Sequence, residues 1–353
     1  MSGIFRWLRK NEESSEISPA AIVGSLTYSN GAISKITVPE VRSVTYNVDI
    51  AEPQSIQGLH IASHRPIPAY QQVTSIPTDA IDAQKAYQLY FQETLSRYQN
   101  SYTPHSPTYR MKEAIISMAT FGPGNQYVQR SERIAKLFDD FKKVLEKTLP
   151  PSIGFRDISI RIPDVVIVTN TGNFVLDAAS GGLMSLIDLS WQIFLYSNDK
   201  DEFVVTIDEP ENHLHPSMQR AILTRLLSAF PKAQFIVATH SPFIVSSVRD
   251  SAVYVLGYNP SDNPNETGIF SRISSLKLDA ANKAGTASEI LRDVLGVPVT
   301  LPEWAEDDLR RISGEFQIEA LDSERLSQLR QRLDEADLGE YYPEALRQIA
   351  GAR

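Results

Sequence analysis

The amino-acid sequence predicts an α/β protein: a mostly parallel sheet with an antiparallel β subdomain, a helical insertion and a helical C-terminal region. Three observations carry this. From 183 to 257, helical and strand-like segments alternate, the pattern that gives parallel strands joined by crossover helices. Residues 20–63 read as β, with Asn30-Gly31 set between two β-rich runs. Residues 79–149 read as helical, rich in good helix formers.

In chain order, "MSGIFRWLRKNEESSE" places Ile4, Phe5, Trp7 and Leu8 on one face of a helix, an amphipathic terminus. It is too short in apolar content for a secretory signal. "SLTYSNGAISKITV" is a hairpin, and "VTYNVDI" alternates Val44, Tyr46, Val48 and Ile50 as a half-buried strand does. "LHIAS" is a further strand, ended by the Pro-rich loop "HRPIPAY". "FGPGNQ" is a turn between helical segments, and 155–177 returns to β around "NTGN". "GYNPSDNPNETG" reads as an exposed loop, and the chain beyond 280 as charged helix. Four segments follow: 1–78, 79–150, 151–257 and 258–353.

Composition narrows the function classes. A chain of 353 residues, 42 % hydrophobic and 22 % charged, is long enough for a sizeable core and ordinary for a globular protein. A net charge of −9 argues against a broadly basic nucleic-acid coat and leaves room for a local basic groove. The absence of cysteine excludes disulfides, zinc-thiolate sites and thiol catalysis, and fits a cytoplasmic protein. No apolar run is long enough to span a membrane.

The densest chemistry lies in "FVVTIDEPENHLHP", Phe203 to Pro216. "FVVTI" has the apolar, β-branched character of a strand buried on both faces. Asp208 and Glu209 follow at its carboxyl end, where open α/β sheets bind their ligands. Adjacent carboxylates there suit a hard cation and a water to be activated. A solvated loop is the plainer alternative. "HPSMQRAILTRLLSAF" then repeats Met218, Ile222, Leu226 and Phe230 at four-residue spacing, a buried helical stripe. "AQFIVATH" makes a second buried strand, so a right-handed crossover brings His240 to the same sheet edge. Upstream, Ser180 with Gly181-Gly182 opens a helix whose apolar side carries Leu183, Leu186, Ile187, Trp191 and Phe194. That piece is either a capped core helix or an anion-binding helix start.

"ASGG", "FVVTIDEPENHLHP" and "FIVATHSP", in that order, resemble the signature motif, the Walker B strand with D-loop, and the switch histidine of ABC-type ATPases. The variant is closest to the SMC, RecF and OLD-like group, catalogued as AAA ATPases, some of which act in DNA repair or phage defence. The resemblance implies ATP and Mg²⁺ as cofactors. It implies that Asp208 holds Mg²⁺ through its water shell, that Glu209 orients the attacking water, and that His240 contacts the γ-phosphate. Ser180, Gly181 and Gly182 are implied to cap the γ-phosphate of a nucleotide on a second subunit. The D-loop is implied at Asn212 to His215, with Asn212, His213 and His215 at the nucleotide and dimer interface. The Q-loop equivalent falls near His64-Arg65, with Gln71 and Gln72 further on. A homodimer is implied, working on an effector protein such as a nuclease, or on DNA. Residues 258–353 carry no β-strand and acidic-cluster pattern of their own, so a nuclease would be a separate protein.

The same family requires a phosphate loop, G-x-x-x-x-G-K-[ST], and none of the seventeen glycines begins one. The family layout places that loop before the hairpin, which makes "MSGIFRWLRKN" the tail of the following helix and Met1 an internal or truncated start. A degenerate ATPase, kept as a dimerising scaffold or nucleotide sensor, is the alternative. In either case the chain as written is expected to bind ATP weakly, for want of the lysine and its nest of N–H groups. Its sheet is expected to lack a strand, leaving apolar surface exposed or covered by a partner.

Overall fold

A computed structural model describes residues 20–39, 47–65, 69–260, 271–279, 285–296, 301–316 and 322–351. The N-terminal apolar run Ile4 to Leu8, the residues Val44 and Tyr46, and most of the "GYNPSDNPNETG" loop lie outside these. The chain forms two compact units, Met1–Thr239 and His240–Arg353.

In the first unit, β1 (Ala20–Thr27) and β2 (Ile33–Pro39) form the antiparallel hairpin expected from Asn30-Gly31. Gly31 takes a φ of +82°, its N–H donates to Tyr28 O at 2.9 Å, and Asn30 Oδ1 accepts from Ala32 N at 3.0 Å. These bonds supply the turn chemistry the dipeptide promises. The strand expected over "VTYNVDI" is described only as β3 (Asp49–Ile50), which pairs with β2.

The parallel sheet has three strands in the order β4 (Gly58–Ile61), β8 (Phe203–Asp208) and β9 (Ala233–Ala238). Two expectations of full burial are corrected here. In β8, Phe203, Val205 and Ile207 are buried while Val204, Thr206 and Asp208 are half-covered. In β9, Gln234, Ile236 and Ala238 are exposed, Ile236 at 54 %. The sheet is thinly covered on one side, and no described strand pairs with the outer edge of β9. Thr206 and Ile236 are register partners on that open face.

Between β4 and β8 come α1 (Ala83–Tyr98), α2 (Pro107–Phe121) and α3 (Glu132–Thr148), then the antiparallel strands β5 (Phe155–Arg161), β6 (Asp164–Thr169) and β7 (Phe174–Val175). Each helix starts on a capping side chain, Asp82, Ser106 and Ser131, which accepts a bond from a first-turn N–H. The next helix, α4 (Gly181–Ser197), is the centre of the unit. Every residue from Met184 to Trp191 is buried, so the one-sided stripe read from the sequence is corrected to a helix covered on all sides. Trp191 packs edge-on against Phe141 of α3 with ring centroids 4.8 Å apart. On α5 (Pro216–Ala229), Ile222 and Leu226 are buried along with Phe230 just past its end, and Met218 is half-buried, as the four-residue spacing predicts.

The second unit begins with the short α6 (Pro242–Val245) and holds β10 (Tyr254–Pro260) paired antiparallel with β11 (Ser271–Lys277). Strand β11 falls in a stretch read from the sequence as loop and helix. Beyond it come α7 (Ala287–Asp293), α8 (Glu303–Gly314), α9 (Ser323–Glu335) and α10 (Tyr342–Gly351). Leu309, Leu329, Leu333 and Ala345 close a core among the last three helices. Among the described residues, no helix is long and apolar enough to cross a membrane.

Candidate active site

Strand β8 is flanked by β4 and β9, and its last residue, Asp208, is register partner to Ala238. The strand ends there because the backbone reverses. Glu209 sits in the left-handed region at φ +47°, and the buried Pro210 follows. Two bonds tie the reversed chain down. Glu209 N donates to Ala238 O at 2.9 Å, and Asn212 N donates to Glu209 O at 3.2 Å. A second left-handed residue, His213 at φ +67°, leads into α5. A non-glycine residue at positive φ costs roughly 1–3 kcal/mol, and such strain persists where the surroundings over-determine it.

The carboxylates differ in their surroundings. Asp208 is half-buried at the strand end. Glu209 Oε2 accepts from Asn212 Nδ2 at 2.9 Å, and the same amide donates to Ser63 O at 3.2 Å. Glu211 Oε1 accepts from Thr239 Oγ1 at 2.6 Å, joining the turn to the residue after β9. Asp208, Glu209 and Glu211 thus place three acidic residues within four positions.

Arg65, three residues beyond the start of the loop that follows β4, points inward to this turn. Its Nη2 donates to Glu209 O at 3.1 Å and to Asn212 O at 3.4 Å. Its Nε and Nη1 are buried without a hydrogen-bond partner. Burial lowers its affinity for the proton, opposed by the charges of Asp188, Glu211 and Glu209. Asp188, on the buried face of α4, accepts from Tyr90 Oη of α1 and from Gln192 Nε2 at 2.9 Å. Burial pushes the Asp188 carboxyl up and the Tyr90 phenol well up.

The glycine-led start of α4 also meets the turn. Ser180 caps the helix, its Oγ accepting from Leu183 N at 3.4 Å. A Cβ on Gly182 would stand 3.0 Å from His213 O, and one on Gly181 would stand 3.7 Å from His213 Cβ. Ser185 Oγ, one turn along, donates to Asn212 O at 3.3 Å. The sequence-predicted residues Ser180, Gly181, Gly182, Arg65, Asp208, Glu209, Asn212 and His213 therefore belong to one neighbourhood. His215 caps α5 through Nδ1, which accepts from Ser217 N at 3.3 Å. His64 is exposed and its Nδ1 lies 3.1 Å from Ser63 Oγ. His240 is exposed and follows the end of β9 by two residues, as the first residue of the second unit. Gln71 accepts from Ser106 N at 3.0 Å through its side chain and from Lys112 Nζ at 2.7 Å through its carbonyl, so it belongs to the helical insertion's contacts.

Sequence reasoning missed Asp188, Tyr90 and Ser185. One signal for Asp188 was available: a lone carboxylate inside "LMSLIDLSWQIF" must find a partner if that helix is buried.

Among the described residues, no group of three or more His, Asp or Glu side chains gathers as a ready metal cage. Asp208 offers one hard oxygen donor at the sheet edge. That donor set fits Mg²⁺, which keeps most of its waters and takes one or two carboxylates with phosphate oxygens.

Residues 123–246 match the family described as "AAA domain, putative AbiEii toxin, Type IV TA system". The chain is 27 % identical over 167 residues to the Septu protein PtuA of Bacillus mycoides (strain KBAB4), covering 47 % of this chain and 22 % of that protein. It is 27 % identical over 163 residues to PtuA of Bacillus thuringiensis, covering 43 % and 40 %. Over 69 residues it is 35 % identical to the "Retron Vc95 probable ATPase" of Vibrio cholerae serotype O1 biovar El Tor, covering 17 % and 13 %. The chain thus spans less than half the length of these relatives. A solved structure from work on ATP-driven dimerization and DNA-stimulated activation of SMC ATPases aligns with 47 % of this chain and 93 % of its own, at 14 % identity and a TM-score of 0.34. The sequence matches support the SMC/OLD-like ATPase family that the three motifs resemble.

Proposed function

We propose that this chain is an ATP-hydrolysing subunit of the SMC/OLD-like type, acting in a defence system and coupling nucleotide-driven dimerisation to an effector protein or DNA. The observation that carries the reading is the placement of Asp208 and Glu209 on a strained turn at the carboxyl end of β8, with the Asn212 amide on the Glu209 carboxylate. Bound Mg²⁺ would neutralise phosphate charge, and Asp208 is the residue to hold it. Glu209 would orient and polarise the attacking water, with His240 at the γ-phosphate. Rate would come from positioning and electrostatics and not from a covalent intermediate. Ser180, Gly181 and Gly182 would face a nucleotide across a homodimer, with Asn212 to His215 at the interface. The name of the Vibrio cholerae retron relative, a probable ATPase, supports an ATPase activity, and the role in defence rests on the resemblance of the three motifs.

Nothing in the 353 residues supplies the phosphate loop. For the chain as written we therefore expect weak binding of Mg-ATP, and that same observation favours a second reading, a dimerising scaffold or nucleotide sensor. Expression from the genomic locus, with the DNA upstream of the Met1 codon kept in place, separates the two. An ATPase gives turnover that Glu209→Gln abolishes while nucleotide binding remains; turnover unaffected by E209Q removes Glu209 from the role.

A further inference from the structure

We propose that Arg65 is a positioning residue for Glu209: it clamps the turn that carries the carboxylate. The consequence for turnover rests on the ATPase reading; the clamp itself does not.

The argument begins with the turn. Glu209 and His213 are both left-handed without being glycine, so the turn does not hold its own shape. Two carbonyls, Glu209 O and Asn212 O, face the same way, and both accept from Arg65 Nη2. Asn212 O also accepts from Ser185 Oγ, and Glu209 O also accepts from Asn212 N. The guanidinium therefore closes the mouth of the turn from outside its own chain segment, 144 residues away in sequence. With the backbone fixed in this way, Asn212 Nδ2 reaches Glu209 Oε2. The direction in which Glu209 presents its carboxylate then depends on Arg65.

What holds Arg65 is charge. Its Nε and Nη1 are buried and unpartnered, an arrangement that needs compensation from nearby carboxylates. Asp188 is the first of these, with Glu211 and Glu209 behind it. Asp188 is itself oriented by Tyr90 and Gln192. Asp188 acts on Arg65 through charge and not through a hydrogen bond. Both carbonyls accept from the single Nη2 atom, so a lysine ammonium, shorter and differently placed, should keep only part of the clamp.

Amide hydrogen exchange on the 353-residue chain tests the clamp without any nucleotide. In Arg65→Met, exchange across residues 209–214 should rise roughly tenfold or more, while peptides from α3 and from residues 203–207 keep wild-type rates. Arg65→Lys should fall between the two, and Asp188→Asn should loosen the same peptide by a smaller factor. Unchanged exchange at 209–214 in R65M overturns the clamp, as does a uniform rise across the whole first unit. If R65M does not fold, R65K decides the matter by the same peptide. Turnover of the locus-expressed protein then tests positioning: R65M should lower kcat by roughly a hundredfold and leave KM near its wild-type value. Wild-type kcat in R65M overturns the positioning role. Absence of turnover in the wild-type protein overturns the ATPase reading and leaves exchange to judge the clamp.

Discussion

One side-chain amide joins two elements at the candidate site: Asn212 Nδ2 lies 2.9 Å from Glu209 Oε2 and 3.2 Å from the carbonyl of Ser63, in the loop after β4. Asn212→Ala removes both bonds from a half-buried site. We expect a loss of about 1–2 kcal/mol in denaturant unfolding. Asn212→Asp should be worse, because it sets a second carboxylate beside Glu209 and raises the proton affinity of the pair. Equal stability of wild type and N212A would show that the amide is not holding the turn.

Gly181 and Gly182, at the start of α4, should respond differently to alanine. At Gly182 the added carbon meets His213 O at 3.0 Å, a backbone atom in a strained turn, so neither side yields easily. Gly182→Ala should cost about 1–3 kcal/mol. At Gly181 the added carbon has 3.7 Å to His213 Cβ, an ordinary contact, and the helix gains from alanine. Thermal melting of G181A at or above wild type, with G182A below it, is the expected result.

Lys112 is fully buried on α2, and its Nζ lies 2.5 Å from Asp177 Oδ2, just ahead of α4. Tyr70 covers the ammonium, with 5.0 Å from Nζ to the ring centroid. Lys112→Met leaves Asp177 charged and buried, so it should destabilise the protein by about 3–5 kcal/mol. Adding Asp177→Asn to K112M should restore part of that loss, a coupling read from a double-mutant cycle. Additive effects of the two substitutions would deny the pair.

Asp188 gives a prediction in pH. Its folded-state pKa is raised by burial above the ordinary carboxylate value. Between those two values the folded protein binds more protons than the unfolded chain, so stability falls as pH rises through that window. The cost is absent below the unfolded value and complete above the folded one. Asp188→Asn removes the titration. Unfolding of the wild type, followed upward from about pH 4, should lose stability relative to D188N; parallel curves would contradict the assignment.

Much of this was legible in the sequence because it depends on local chemistry. Asn30-Gly31 can adopt a turn that few other dipeptides tolerate, and the hairpin of β1 and β2 follows. The stripe Ile222, Leu226 and Phe230 has one spacing and one buried side. Asp208 and Glu209 stand where an apolar run stops, so their place at the carboxyl end of β8 could be read directly. The extent of burial was less legible. In β9, Ile236 looks like a core residue, yet it is exposed because it lies on the thinly covered face of the sheet, opposite Thr206 of β8. The helix α4 seemed one-sided, yet Asp188 and Ser190 are buried along with its apolar residues. Strand β11 went unread because Ser271–Lys277 takes its strand form by pairing with β10.

By itself, then, the sequence determined the α/β class, the order of the motifs and the identity of the acidic pair, since propensity, periodicity and residue chemistry act over a few neighbouring positions. The tertiary structure decided how the pair is held. Arg65 reaches Glu209 across 144 residues of chain, and Tyr90 reaches Asp188 across 98. Such contacts form when packing brings distant polar groups into a common interior, where each must find a partner or raise the energy of the fold.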